Sequence, residues 1–247
     1  MALVQSQQFT GSGLGVILRP LLHLKQGTRN GGTRRQGTGK PGFVVSHPFA
    51  GRPRKDGAPT NWLRGMMEQD LHNTIALLTR TPAVVDALLR GLADVWTQSN
   101  EGENTWNATA VVAHLIHCEV EDWLPRAKII LQWGEAQRFE PFDREGYMRY
   151  GRGKTLSQLL DEFAQLRARN LDELRALRLS AEGLKRRGIH PGLGSVTLSE
   201  LLAAWAAHDL THLHQIARVM AHQYREAAGP WTKYMGVMQC GGRSSAA

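Results

Sequence analysis

The chain has 247 residues and a formal net charge of +8, and it has no apolar run as long as the roughly 20 residues that a membrane span needs. This length supports one domain with a hydrophobic core plus additional sequence, and two cysteines exclude a disulfide framework. Residues 1–65 carry ten basic side chains and one acidic side chain, which leaves 20 basic and 21 acidic side chains for residues 66–247. The basic character therefore belongs to the N-terminal segment and does not indicate a nucleic-acid partner for the remainder.

Residues 1–65 are predicted to be a disordered, basic leader. They contain 12 of the 26 glycines, and KQGTRNGGTRRQGTGKPG shows neither helical nor strand periodicity. Three interpretations fit: an RNA-binding arm, an organelle transit peptide, or untranslated sequence upstream of a start at Met66 or Met67. The third fits best because helical patterning begins at these methionines. No secretory signal is evident and the cysteines lack CxxC spacing, so a cytoplasmic protein without a membrane or nucleic-acid partner is expected.

Residues 66–238 are predicted to form a helical domain, followed by a disordered tail at residues 239–247. Apolar residues recur at helical spacing in MMEQDLHNTIALLTR. In TPAVVDALLRGL, Thr81 is the expected N-cap and Pro82 the first helical residue. The stretch NATAVVAHLIHCEVEDWLPRAKIILQW predicts one long helix with a kink at Pro125.

The second half of the domain predicts two further long helices. The stretch TLSQLLDEFAQLRARNLDELRAL has an apolar stripe, and GIHPGLGSV is expected to be a turn-rich connection. The last helix, TLSELLAAWAAHDLTHLHQIARVMAHQYREAAG, begins with a capping box of Thr197 and Glu200 and is expected to end at Gly229 and Pro230. No strand alternation extends beyond a few residues, so the expected fold is an all-α four-helix bundle with an extra short helix.

The last helix carries a histidine pair with metal-binding spacing. His208 and His212 are four residues apart and lie on one helical face, whereas His214 is turned away. A third ligand is expected from the helix that contains His114 and, three residues later, His117. Three histidines leave a coordination position for water or substrate, which is typical of a catalytic site, and imidazole suits zinc, nickel, iron or copper.

Other side chains near these histidines have candidate supporting roles. Gln215 lies on the same stripe as His208 and is expected to orient a ligand or a bound water. Near His114, Glu119 or Glu121 is expected to orient a ligand or to take a proton. Cys118 follows His114 by one turn, as either a soft ligand or a small buried residue. Structural roles are expected for the remaining histidines of the helical domain, which are His72, His190, His214 and His222.

The stretches VVAHLIHCEVEDW and GIHPGLGSVTLSELLAAWAAHDLTHLHQIARVMA together resemble the DinB-like proteins, the DinB/YfiT superfamily of metal-dependent enzymes. The resemblance covers roughly residues 67–237 and does not include the leader. It implies a four-helix bundle in up-down-down-up order and a divalent metal, zinc or nickel, held by His114, His208 and His212. His117 is the competitor for the first position.

The resemblance also implies a range of activities. Characterised relatives transfer a low-molecular-weight thiol, such as bacillithiol or mycothiol, to an electrophile, or isomerise maleylpyruvate with the help of a thiol. The expected function is therefore a metal-dependent enzyme that acts on a small molecule by thiol S-transfer or by hydrolysis. The alternative is a non-catalytic metal- or ligand-binding protein of the stress response, and a homodimer is implied in either case.

Overall fold

The computed structural model describes residues 71–240, which lie within one compact unit, Ala58–Ala247. The predictions for the leader, for the domain start and for tail residues 241–247 lie outside the described residues. In chain order, the elements are α1 (Leu71–Leu78), α2 (Thr81–Leu89), α3 (Asp94–Thr97), α4 (Ala108–Glu121), α5 (Trp123–Trp133), a 3-10 turn (Gly134–Ala136), α6 (Tyr147–Gly151), α7 (Leu156–Ala176), α8 (Ala181–Lys185), β1 (Arg187–His190), β2 (Gly194–Thr197), α9 (Leu198–His222), α10 (Arg225–Ala228), a second 3-10 turn (Gly229–Tyr234) and α11 (Gly236–Gln239).

Four helical segments form a bundle in which α4 is the central helix, and this confirms the predicted fold class. The segments are α1 with α2, α4 with α5, α7, and α9. Helix α4 packs against α6, α7 and α9, and α9 also packs against α1 and α5. Every residue of α4 from Val111 to Glu119 is buried, as expected for a helix that is apolar on nearly all sides. Among the described helices, none combines the length and apolar character that crossing a bilayer requires.

Two hydrophobic clusters divide the bundle along its length. The first contains Cys118 of α4 and Leu202 of α9, and the second contains Val111 of α4 and Ile216 of α9. Along α4 the chain passes from the second cluster to the first, and along α9 it passes from the first to the second. The two helices therefore run antiparallel. The segment between the clusters, on both helices, is the segment that carries the predicted metal ligands.

A buried arginine connects all four helical segments. Arg167 of α7 donates hydrogen bonds to the Glu119 carboxylate of α4, at 2.8 and 3.0 Å, and to the Asp209 carboxylate of α9, at 2.6 and 3.0 Å. It also donates to the main-chain oxygen of Leu78 at the end of α1. Burial disfavours its charge, but the two carboxylates outweigh this effect and raise the pKa of Arg167. Removal of one partner from such a buried pair typically destabilises a protein by about 3–5 kcal/mol.

The long helix predicted around Pro125 is instead two helices. They meet at Asp122, three residues before the proline. A proline ring clashes with the carbonyl four residues earlier, which here belongs to Glu121, and proline has no N–H to donate. The helical hydrogen-bond pattern is therefore interrupted at Asp122, and Pro125 lies inside the first turn of α5.

Two predicted helix ends are wrong. Helix α2 begins at Thr81, so Arg80 rather than Thr81 occupies the N-cap position, without a side-chain capping bond. Helix α9 ends at His222, before the expected stop at Gly229 and Pro230. The Gln223 N–H bonds to the oxygen three residues back, which tightens the last turn and ends the helix. The capping box of Thr197 and Glu200 at the start of α9 is confirmed.

The connection GIHPGLGSV contains a short antiparallel hairpin that was not predicted. Strands β1 and β2 pair from Arg187 opposite Thr197 to His190 opposite Gly194. Gly188 packs closely against Ile130 and Phe139, where a Cβ atom would lie 2.7 Å from the Ile130 side chain. The hairpin leads directly into α9 and closes one side of the site described next.

Candidate metal centre

Three histidines converge where α4 and α9 face each other. The Nε2 atom of His208 lies 3.1 Å from Nε2 of His114 and 3.0 Å from Nε2 of His212. All three nitrogens lie within 4.8 Å of one another, and the group has the composition of a metal site. The four-residue spacing on α9 places two rings on one face, and the antiparallel α4 supplies the third.

Gln215 determines which nitrogen of the neutral His212 ring carries the proton. Its Oε1 atom lies 2.7 Å from Nδ1 of His212 and can only accept a hydrogen bond. The proton of His212 therefore resides on Nδ1, and the lone pair of Nε2 faces the cluster. That this contact orients a metal ligand, as predicted for Gln215, stays a prediction.

Burial keeps the three rings neutral. It is the main cause that lowers the pKa of His114 to about 3 and that of His208 to about 2, and repulsion from His212 adds to it. Burial also lowers the pKa of His212, although the bond with Gln215 opposes this shift. Neutral imidazoles with converging nitrogens are the ligand type that divalent transition metals bind, so the residues present fit a metal.

A thiol and two indole rings enclose the cluster. The Sγ atom of Cys118 lies 3.5 Å from Nε2 of His114, and burial, together with the nearby Asp122 carboxylate, raises the pKa of this thiol well above its usual value. The ring of Trp106 lies 4.9 Å from the His114 ring, and the ring of Trp123 lies 5.0 Å from the His208 ring. These apolar surfaces limit the access of water to the histidines.

His117 faces away from the cluster, although it lies only three residues after His114. Its Nε2 atom lies 3.0 Å from the Glu121 carboxylate, and its ring stacks between Phe142 and Tyr150. Of the two candidates on α4, the structure therefore places His114 with the α9 pair.

Glu119 has different neighbours from those that the sequence suggested. Its carboxylate accepts hydrogen bonds from Arg167, from Asn170 at 2.9 Å and from the Trp205 indole at 3.0 Å. Burial raises the pKa of Glu119, against the effect of Arg167. Through these contacts, Glu119 joins α4 to α7 and α9. None of them is with a histidine, so the predicted role of Glu119 beside a ligand histidine stays a prediction.

The histidine cluster lies in the wall of a cavity of about 710 Å³. Arg126, Arg144 and His190 also line this cavity, together with the Asp122 carboxylate, which pairs with Arg126 at 2.6 Å. Nδ1 of His190 accepts the N–H groups of residues 192 and 193, so its own proton lies on Nε2. Sequence reasoning assigned His190 a structural role, because its place in the cavity wall depends on the hairpin, which was not predicted.

The family assignment agrees with this geometry. The sequence profile of the DinB superfamily matches residues 77–216. The chain belongs to the DinB superfamily. The matched segment extends from the end of α1 to Ile216 and contains all three clustered histidines.

A solved DinB-like structure shows the same fold. It is YfiT from Bacillus subtilis, described as "a probable metal-dependent hydrolase with an unusual four-helix bundle topology". The two proteins are 20% identical, with a TM-score of 0.53, and the match covers 72% of this chain and 93% of that one. No curated protein sequence matches the chain.

Proposed function

We propose that this DinB superfamily protein is a metal-dependent hydrolase of a small molecule, with the metal held by His114, His208 and His212. The observation that carries the proposal is the convergence of three neutral imidazoles in the wall of a cavity. When bound, a divalent metal polarises a substrate oxygen and activates water or a thiol as a nucleophile near neutral pH. Zinc or nickel is the proposed metal, and a cytoplasmic homodimer is the proposed form.

The residues around the cluster have separate tasks in this proposal. Gln215 holds the His212 ring in one tautomer and one orientation. Trp106 covers the cluster and excludes bulk water. The N–H groups of Arg144 and His190 bind polar atoms of the substrate across the cavity. The Asp122 carboxylate, whose pKa is raised by burial, is the proton acceptor in that wall.

Thiol S-transfer is the second candidate activity. The cavity lies open to the same histidines, and a low-molecular-weight thiol in place of water would make the centre a transferase. The third candidate is a non-catalytic metal- or ligand-binding protein of the stress response. The two activities differ in whether product formation requires an added thiol.

The first test measures the metal content of the full-length protein by plasma mass spectrometry. We expect about one equivalent of zinc or nickel in the wild type and a loss of it in the His208→Ala, His212→Ala double variant. His214→Ala is the matched control, because His214 is an exposed histidine of the same helix. Absence of metal from the wild type after reconstitution would contradict the proposal.

The second test compares turnover of ester, amide and phosphoester substrates with and without added thiols. Product formation without thiol, lost in the double variant, supports hydrolysis. Conversion of electrophiles only in the presence of thiol would replace hydrolysis by S-transfer. Bound metal without turnover in either set favours the non-catalytic candidate.

A further inference from the structure

We infer that the substrate carries an anionic group, a carboxylate or a phosphate, and that Arg144 and Arg126 bind this group in the cavity beside the histidine cluster. This inference rests on the proposed hydrolase and names the class of its substrate. The grounds are the surplus of positive charge in the cavity wall, the unpaired guanidinium of Arg144, and the fixed position of Arg126.

The wall of the cavity has a surplus of positive charge. Among the residues that line it, the charged side chains are those of Arg126, Arg144 and Asp122. Two arginines and one carboxylate leave one positive charge uncompensated, and binding of a divalent metal to the histidines would add two more. A cavity whose wall has one sign of charge concentrates ligands of the opposite sign, so the expected ligand is an anion.

The guanidinium of Arg144 has no protein partner in the part of the chain that the structure describes. Arg144 is exposed, and it makes neither a hydrogen bond nor an ion pair there, although Asp143 is its neighbour in sequence. The Asp143 carboxylate pairs instead with Arg149, at 2.6 Å. The N–H donors of Arg144 therefore remain for a ligand, and the guanidinium shape matches a carboxylate or a phosphate in a bidentate contact.

Arg126 contributes a second guanidinium, whose position is fixed before any ligand binds. It is 8% exposed, and its Nη1 atom lies 2.6 Å from the Asp122 carboxylate. Its Nη2 atom donates a hydrogen bond to the main-chain oxygen of Glu140 at 3.2 Å, and its guanidinium lies 5.3 Å from the centre of the Phe139 ring. Because these contacts already order the side chain, little further entropy is lost when an anion binds to its remaining donors.

His190 adds an uncharged donor to the same wall. Its Nδ1 atom accepts two main-chain N–H groups, so the proton lies on Nε2. Burial and the positive charge of Arg126 lower the pKa of His190 and keep its ring neutral at neutral pH. The charge that selects an anion over a neutral ligand therefore comes from the two arginines.

The inference is tested by titration calorimetry of the full-length protein, with bound metal and after removal of metal, at neutral pH and constant ionic strength. The probes are inorganic phosphate, benzoate, and benzamide, which is the neutral isostere of benzoate. We expect both anions to bind to the metal-free protein, and benzamide to bind at least about tenfold more weakly than benzoate, because hydrogen bonds to charged groups are stronger. The affinities for phosphate and benzoate show which anionic group the site prefers.

Arg144→Gln removes the unpaired guanidinium, and Arg152→Gln is its matched control. Arg152 is also exposed but does not line the cavity, and both variants lose the same charge, so binding of anions to the basic residues 1–65 affects them equally. We expect Arg144→Gln to bind both anions about tenfold more weakly and Arg152→Gln to match the wild type. With metal-loaded protein, Arg144→Gln should raise KM for esters that carry a carboxylate and leave kcat unchanged.

The outcomes separate this inference from the proposed function. Equal affinity of the wild type for benzoate and benzamide, or equal affinity of the two variants for the anions, would overturn the inference. Anion binding only in the presence of metal would assign the anion to the metal and also overturn it. With either result, hydrolysis of neutral esters by the metal-loaded protein would leave the proposed function intact. Arginine-dependent anion binding by a chain that binds no metal would instead overturn the hydrolase alone.

Discussion

Gln215 fixes the tautomer of His212, one of the three histidines of the candidate centre. Because its amide oxygen accepts the Nδ1 proton of His212, the Nε2 lone pair of His212 faces its two neighbours. Such outer hydrogen bonds hold a ring at the angle that a metal requires and raise its basicity. We therefore expect the affinity for the proposed metal to depend on a residue that does not contact it.

Replacement of Gln215 by leucine is expected to weaken zinc or nickel binding by about 10–100-fold, because the His212 ring loses its acceptor. Gln215→Glu retains an acceptor oxygen and is expected to remain close to wild type. Competition with a chelating dye measures both affinities. Equal affinity of the leucine variant and the wild type would show that ring orientation does not depend on this bond.

At the residue scale, the histidine pair of the last helix could be predicted from the sequence, but most residues of the cavity wall could not. The spacing of His208 and His212 is a local property of one helix, and it predicted their convergence. Helical spacing alone left His114 and His117 open, the family resemblance favoured His114, and the structure stacks the His117 ring against Phe142. His190 lies 76 residues along the chain from His114, and no local pattern predicts that both line one cavity.

Helix α6 and Gly146, the residue before it, pack against α4 where the His117 ring stacks on Phe142 and Tyr150. A Cβ atom on Gly146 would lie 2.4 Å from Cε1 of His117, so the backbone approaches this ring as closely as glycine allows. The φ angle of Gly146 is −55°, which alanine also adopts, and the obstacle to substitution is therefore steric. The position of α6 depends on this close approach.

The Gly146→Ala substitution is expected to displace α6 and to destabilise the protein by about 1–3 kcal/mol, the usual range for overpacking. Gly236→Ala is the matched control, because no atom lies within 4 Å of its added Cβ. Thermal unfolding and amide hydrogen exchange of Tyr147–Gly151 measure the effect. If both variants matched the wild type, the close packing around His117 would not be important for stability.

At the element scale, apolar periodicity predicted the long helices, whereas their ends and the hairpin depended on tertiary contacts. Strands of four residues are too short to show alternation, and the pairing of β1 with β2 is stabilised by packing of Gly188 on Ile130 and Phe139. Helix α9 ends without a glycine or proline at His222, so no local signal predicted its end.

For the whole molecule, the buried histidines make the stability of the metal-free protein depend on pH. The pKa values of His114, His208 and His212 are lower in the folded chain than the value of about 6.5 in the unfolded chain. The unfolded chain therefore binds more protons below pH 6.5, and stability decreases as the pH falls from there toward the folded values. Glu119 and Asp122, with raised pKa values, act in the opposite direction.

In the presence of a chelator, the free energy of unfolding is expected to fall between pH 6.5 and 5 by up to about 1.4 kcal/mol per pH unit for each of the three histidines. Urea denaturation across this range measures the slope. The His208→Leu, His212→Leu variant keeps the carboxyl groups and should give a shallower slope. Parallel curves for the two proteins would contradict the assignment of the pH dependence to these rings.

The two helices that supply the histidines are far apart in sequence, since His114 and His208 are separated by 94 residues. In an unfolded chain, the ends of a loop of this length meet at an entropic penalty of about 4 kcal/mol, which corresponds to roughly a thousandfold in effective concentration. An unfolded chain therefore rarely brings His114 together with the pair His208 and His212. If the three histidines bind a metal as proposed, we expect most of its selectivity for the native protein to arise from chain topology, and metal loading to report on completion of the fold.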